Sequence, residues 1–147
     1  MNVTVVLFEL PFCLFSHRIH DTNGKTDQDT KCRFLSVNQQ ENKVLVTSMA
    51  LNKVFTVDLQ NGDNAQFEYD KLEEPSGISI DPVKGTVFIA FRVSKSIEAF
   101  NHKLGHFGTF LEWKNKEPTG LYVQDDVLCV AHNHHGTMLK VPFHYEN

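Results

Sequence analysis

The chain has 147 residues, enough for one domain with a real core and short for two. Its 14 basic residues are scattered among 18 acidic ones for a net charge of −4, which disfavours a nucleic-acid surface. Twelve phenylalanines, many in short runs with Val, Ile and Leu, favour strands over helices.

The first apolar stretch runs from Val3 to Phe15. It lacks a basic n-region, carries Glu9 and Pro11, and shows no small-residue cleavage site, so a cytoplasmic chain is expected ahead of a secreted one. No run approaches the ~20 apolar residues that span a bilayer. Residues 1–30 are expected to be an N-terminal segment, a remnant of a preceding unit followed by a polar linker. His17 and His20 fall in that linker, which reads as solvated. Cys13, Cys32 and Cys129 give neither a disulfide framework nor a Cys-x-x-Cys pair. Cys129, within Val127–Ala131, is expected to be a buried thiol.

From Lys31 onward the chain repeats itself with an offset of 43 residues. That offset pairs Glu74-Pro75 with Glu117-Pro118, Ser36 with Ser79, Val44 with Val87 and Gly62 with Gly105. The first copy predicts strands at Phe34–Val37, Lys43–Thr47, Val54–Asp58 and Ala65–Tyr69. The second predicts Gly77–Ile80, Thr86–Phe91, Ser96–Asn101 and Gly108–Leu111. The third predicts Gly120–Val123, Val127–Ala131 and Met138–Val141, with one turn two residues shorter. Asp81-Pro82-Val83-Lys84-Gly85, Gln60-Asn61-Gly62-Asp63 and Gln124-Asp125-Asp126 supply turn chemistry between the runs.

A four-stranded unit of this period is a propeller blade. The expected fold is all-β: a partial β-propeller of about three four-stranded antiparallel blades, near 33–75, 76–118 and 119–147, that does not close. A ring needs about four to eight blades. The expectation is therefore a piece of a longer propeller, or self-association through open blade edges.

Pro75-Ser76-Gly77-Ile78-Ser79-Ile80-Asp81-Pro82, followed by Gly85-Thr86-Val87-Phe88-Ile89-Ala90, resembles the opening of an NHL repeat. Ile97-Glu98-Ala99-Phe100 and Lys103-Leu104-Gly105 fit the same pattern, and Pro118-Thr119-Gly120-Leu121-Tyr122-Val123 begins the next repeat. The first copy has Lys31-Cys32-Arg33-Phe34 in place of the Pro-x-Gly start. After Ala90 and Ala131 the family's usual Asp and Asn-His-Arg turn are replaced by Phe91-Arg92-Val93-Ser94-Lys95 and His132-Asn133-His134-His135. The resemblance, over 31–147, implies a six-bladed-propeller relative and an interaction scaffold whose partner is a protein. It implies no cofactor.

Alternating strands bring the second-to-third strand turns to the same end of the blades as Pro75 and Pro118. That end gathers the candidate binding residues Arg92, Lys95, His132, Asn133, His134 and His135. Three imidazoles within four residues suit Zn²⁺ or a general base, so His132, His134 and His135 are candidate metal ligands. One tight loop aims three ring nitrogens at one point poorly, and no carboxylate lies within it. An exposed polar loop is the simpler reading, with no catalytic residue assigned. The rival is a truncated relative of metal-dependent propeller lactonases or lyases that uses this histidine-rich loop.

Overall fold

A computed structural model describes residues 4–9, 12–18, 32–66, 73–101, 105–133, 136 and 138–144. At the N-terminus β1 (Thr4–Glu9) and β2 (Phe12–Arg18) form a two-stranded antiparallel sheet. His17, expected in a polar linker, instead lies in β2, its backbone opposite Val5, in a ladder that runs on to Thr4 and Arg18. His20 falls outside the described residues.

Three antiparallel sheets follow, each with its strands in sequence order. Blade 1 holds β3 (Cys32–Asn38), β4 (Lys43–Ser48), β5 (Lys53–Asp58) and β6 (Asn64–Gln66). Blade 2 holds β7 (Pro75–Ile80), β8 (Thr86–Phe91), β9 (Ser96–Asn101) and β10 (Gly105–Glu112). Blade 3 holds β11 (Pro118–Gln124), β12 (Val127–His132) and β13 (Met138–Pro142). The expected strands are present, most of them a residue or more longer than predicted. The fourth strand of blade 1 is described only to Gln66, and the remainder of its expected span lies outside the described residues. Strand β10 begins three residues early, because bulges around Gly108 (φ 141°) let the ladder to β9 run back to Gly105.

The innermost strands β3, β7 and β11 lie side by side, so the blades stack face to face with blade 2 in the middle. The architecture is an unclosed partial β-propeller of three blades. Blade 2 is covered on both faces, and every residue of β7 and β8 is buried. That is the physical meaning of the unbroken apolar run Val87–Phe91. Ile78, Ile80, Val87, Ile89, Phe91 and Phe100 pack with Leu45 and Val54 of blade 1. On the other face Phe88, Ala90, Ile97 and Ala99 pack with Val123, Leu128, Val130 and Phe143. Phe88 meets Phe110 and Phe143 at ring-centroid distances of 5.2 Å each.

Blade 3 is covered on one face only, and β12 alternates accordingly. Leu128, Val130 and His132 point inward, whereas Cys129 points the other way and is only half buried. This corrects the expectation of a buried Cys129 thiol: the surrounding apolar run is buried at every second position.

Hydroxyls and one glycine make the blade junctions. Ser36 Oγ accepts a hydrogen bond from Ile80 N (3.2 Å), and Ser79 Oγ accepts one from Val123 N (3.0 Å). Thr47 Oγ1 donates to Ser76 O (2.7 Å), and Ser76 Oγ donates toward Pro118 O (3.0 Å). At Gly77 the strands approach so closely that a Cβ would lie 2.4 Å from Thr119 O and 2.9 Å from Leu121 N, both backbone atoms. At the repeat-equivalent Gly120 a Cβ would meet only the Ala131 Cβ, at 3.4 Å. Gly77→Ala is therefore expected to lower the unfolding free energy by about 1–3 kcal/mol or more through overpacking. Gly120→Ala, studied at low protein concentration, should change it little. Urea unfolding of the two variants checks the contrast, and equal losses would contradict it.

Candidate functional site

The turns between second and third strands use one backbone solution twice. Asn52 (φ 52°) and Lys95 (φ 55°), 43 residues apart, both take the left-handed conformation. Asn adopts it readily, whereas Lys does so at a cost offset by its surroundings. Lys95 O accepts from Trp113 N (3.0 Å), and Lys95 Nζ donates to Lys114 O (2.9 Å).

These turns meet the Glu-Pro starts of the inner strands. Within blade 2 Arg92 N donates to Glu74 O (3.3 Å), and within blade 3 Asn133 N donates to Glu117 O (3.1 Å). Glu74, itself left-handed (φ 49°), donates its N–H to Asn52 Oδ1 (2.8 Å). The predicted gathering of the turns with Pro75 and Pro118 is thus visible bond by bond.

The Arg92 guanidinium lies between the two repeat-equivalent glutamates. Its Nη2 and Nε reach Glu117 Oε2 at 2.9 and 3.3 Å, and its Nη1 is 3.4 Å from Glu74 Oε2. A planar fork can serve both carboxylates at once. Arg92 therefore ties the start of blade 2 to the start of blade 3, and its charge is balanced locally.

His132 is buried, with its ring edge-on to Trp113 at a centroid distance of 4.9 Å. Asn133 is exposed, while His134 and His135 lie outside the described residues. Arg92, Lys95, His132 and Asn133 are thus brought into one neighbourhood around Glu117 and Trp113. Among the described residues no group of three His, Cys, Asp or Glu side chains is placed to hold a metal ion.

Two concavities flank the inner and outer parts of the blades. One of about 550 Å³ is bordered by Val93, Ser94, Lys95, Glu112, Trp113 and Lys114. The other, about 480 Å³, crosses the far ends of the three inner strands, with Ser36, Gln40, Ser79, Pro82 and Tyr122 among its walls. The sequence reading placed function at the first end and did not anticipate the second.

A buried carboxylate was also missed. Glu98 accepts from Ser96 Oγ (3.1 Å) and from Thr109 Oγ1 (3.0 and 3.2 Å), and Ser96 Oγ is 2.8 Å from Ser94 Oγ. The period-two spacing Ser96-x-Glu98 puts these two groups on one face of β9, with Ser94 in the turn just before it. That alternation was the available signal. Hydroxyl donors make the burial of the carboxylate tolerable.

No family model matches the chain, and no curated protein matches it. Solved structures do resemble it. Virginiamycin B lyase from Staphylococcus aureus aligns over 89% of this chain and 49% of its own, at 15% identity and a TM-score of 0.61. A streptogramin B lyase aligns over 84% and 46%, at 16% identity and a TM-score of 0.62. Hydrazine synthase from Kuenenia stuttgartiensis aligns over 77% and 32%, at 14% identity and a TM-score of 0.60. The chain spans about half the length of the lyases or less, and identities this low establish the fold alone.

Removing the shared guanidinium should loosen the junction between blades. Arg92→Ala is expected to lower stability by about 1 kcal/mol, the upper range for a partly exposed pair. Arg92→Lys should recover little, since an ammonium cannot bridge both carboxylates as a fork does. Part of the loss should vanish at 1 M salt, where such charges are screened. Urea midpoints at two salt concentrations measure this, and unchanged midpoints would contradict it.

Proposed function

We propose that the chain is a propeller segment of NHL-like type that recognises a protein partner through the turns at the Glu-Pro end of its blades. The observation that carries this reading is how the polar groups there are used. Arg92 is held by Glu74 and Glu117, and Lys95 by the Lys114 carbonyl. His132 is packed beneath Trp113. These groups build a rigid rim, and what the rim presents is apolar: Val93, 55% exposed, beside Trp113. A rigid frame with an aromatic and an aliphatic contact suits protein recognition. A cytoplasmic setting and the absence of a nucleic-acid partner belong to the same proposal.

The second reading, a lyase, is favoured by the structural likeness to virginiamycin B and streptogramin B lyases, one of them solved as a catalytically inactive variant with quinupristin.

A photo-reactive amino acid placed at Val93 should crosslink a discrete protein in cells that express the chain. The same group at Val83, 75% exposed in a first-to-second strand turn, should not. Equal capture at both positions, or none at Val93, would sink the recognition reading. Quinupristin incubated with the purified chain should stay intact by chromatography, and its consumption would favour the lyase instead.

A further inference from the structure

The two internal blade junctions are built from the same parts. Ile78 and Ile80 of β7 pack on blade 1, and Leu121 and Val123, 43 residues on, pack on blade 2. The receiving strand offers a serine hydroxyl to the incoming backbone, Ser36 to Ile80 N and Ser79 to Val123 N. At the second junction Gly77 makes room for the incoming Thr119 and Leu121 backbone.

Some of the same parts recur, exposed, on β3 of blade 1 and β11 of blade 3. Leu35 and Val37 hold the incoming positions of blade 1 and are 52% and 40% exposed. Gly120 holds the receiving position of blade 3, with only the Ala131 Cβ near its missing side chain. Its face of β11 and the paired strands also shows Tyr122 (60% exposed) and Met138 (65%). One end carries the incoming half of a junction and the other the receiving half.

We infer that a second copy of this chain docks head to tail, its Leu35 and Val37 on β3 meeting β11 of the first copy at Gly120. Val44, Val46, Phe55 and Val57, on the same face of blade 1 as Leu35 and Val37, are already buried within the chain. The contact is therefore confined to the inner strands. Tyr122 stands where Ser36 and Ser79 stand, so the hydroxyl-to-amide bond of the internal junctions is lacking. The contact is consequently weaker than an internal junction and reversible. It is heterologous, so each half can be broken separately.

Sedimentation equilibrium of the purified chain should show a mass that rises with concentration from monomer through dimer, as head-to-tail contacts add copies. Leu35→Asp and Gly120→Val should each abolish the rise while leaving circular dichroism and the unfolding midpoint near the parent values. An equimolar mixture of the two should associate again, since it reunites an intact incoming half with an intact receiving half. Tyr122→Ser, which restores the missing hydroxyl, should tighten association by about fivefold, the worth of one hydrogen bond to backbone. A chain that stays monomeric at hundreds of micromolar would overturn the inference. So would association that survives Leu35→Asp, or that weakens in Tyr122→Ser, since either points to packing of blade 3 on its own copy.

Discussion

The structure depends on how closely neighbouring inner strands approach one another. Between β7 and β11 the separation is set by backbone: Thr119 O lies where a side chain on residue 77 would begin. Once the strands are that close, the serine hydroxyls reach the amides of the next blade, and the apolar residues two positions apart along each strand interdigitate. None of these bonds is strong alone, since a neutral hydrogen bond nets about 1 kcal/mol. They act as a register instead. A strand shifted by one residue would turn Ile78 and Ile80 away from blade 1 and leave Ser36 facing no donor.

The same register explains where polar chemistry can reside. Blade 2 is covered on both faces, so a charge within it needs partners inside the stack. Glu98 meets that condition through Ser96 and Thr109. Among the described residues, every other charged side chain of blade 2 and its turns is at a strand end or in a turn. Arg92 is therefore placed where the starts of two inner strands converge, and two glutamates that the repeat spaces 43 residues apart come within reach of one guanidinium.

The repeat was legible in the sequence because blade stacking reuses the same residue classes at the same offset. Strand positions followed directly, and Thr86–Phe91 and Ser96–Asn101 were read to the residue. Misreadings arose where context outweighs pattern. Cys129 lies in an apolar run, yet blade 3 has cover on one face only, so half the run faces outward. The fourth strand of blade 2 was expected only from Gly108, whereas that glycine makes a bulge inside a strand that starts at Gly105. At the candidate site the gathering of turns could be read from strand alternation. The destination of the Arg92 side chain could not, because Glu74 and Glu117 reach it only after two blades have stacked.

This division between backbone register and local side chains separates fold from function in the chain. Stacking is satisfied by residue class: an aliphatic side chain at 78 and 121, and a serine or glycine at the facing position. Such demands leave identity free, which is consistent with structural likeness to lyases and to hydrazine synthase at 14–16% identity. Functional specificity must then come from positions that stacking does not constrain, chiefly the turns. In the 92–95 turn the sequence uses its polar groups to fix the turn itself and leaves Val93 outward. A turn with its charges bound inward and its apolar residue presented outward is suited to contact, and that arrangement, more than the fold, argues for recognition.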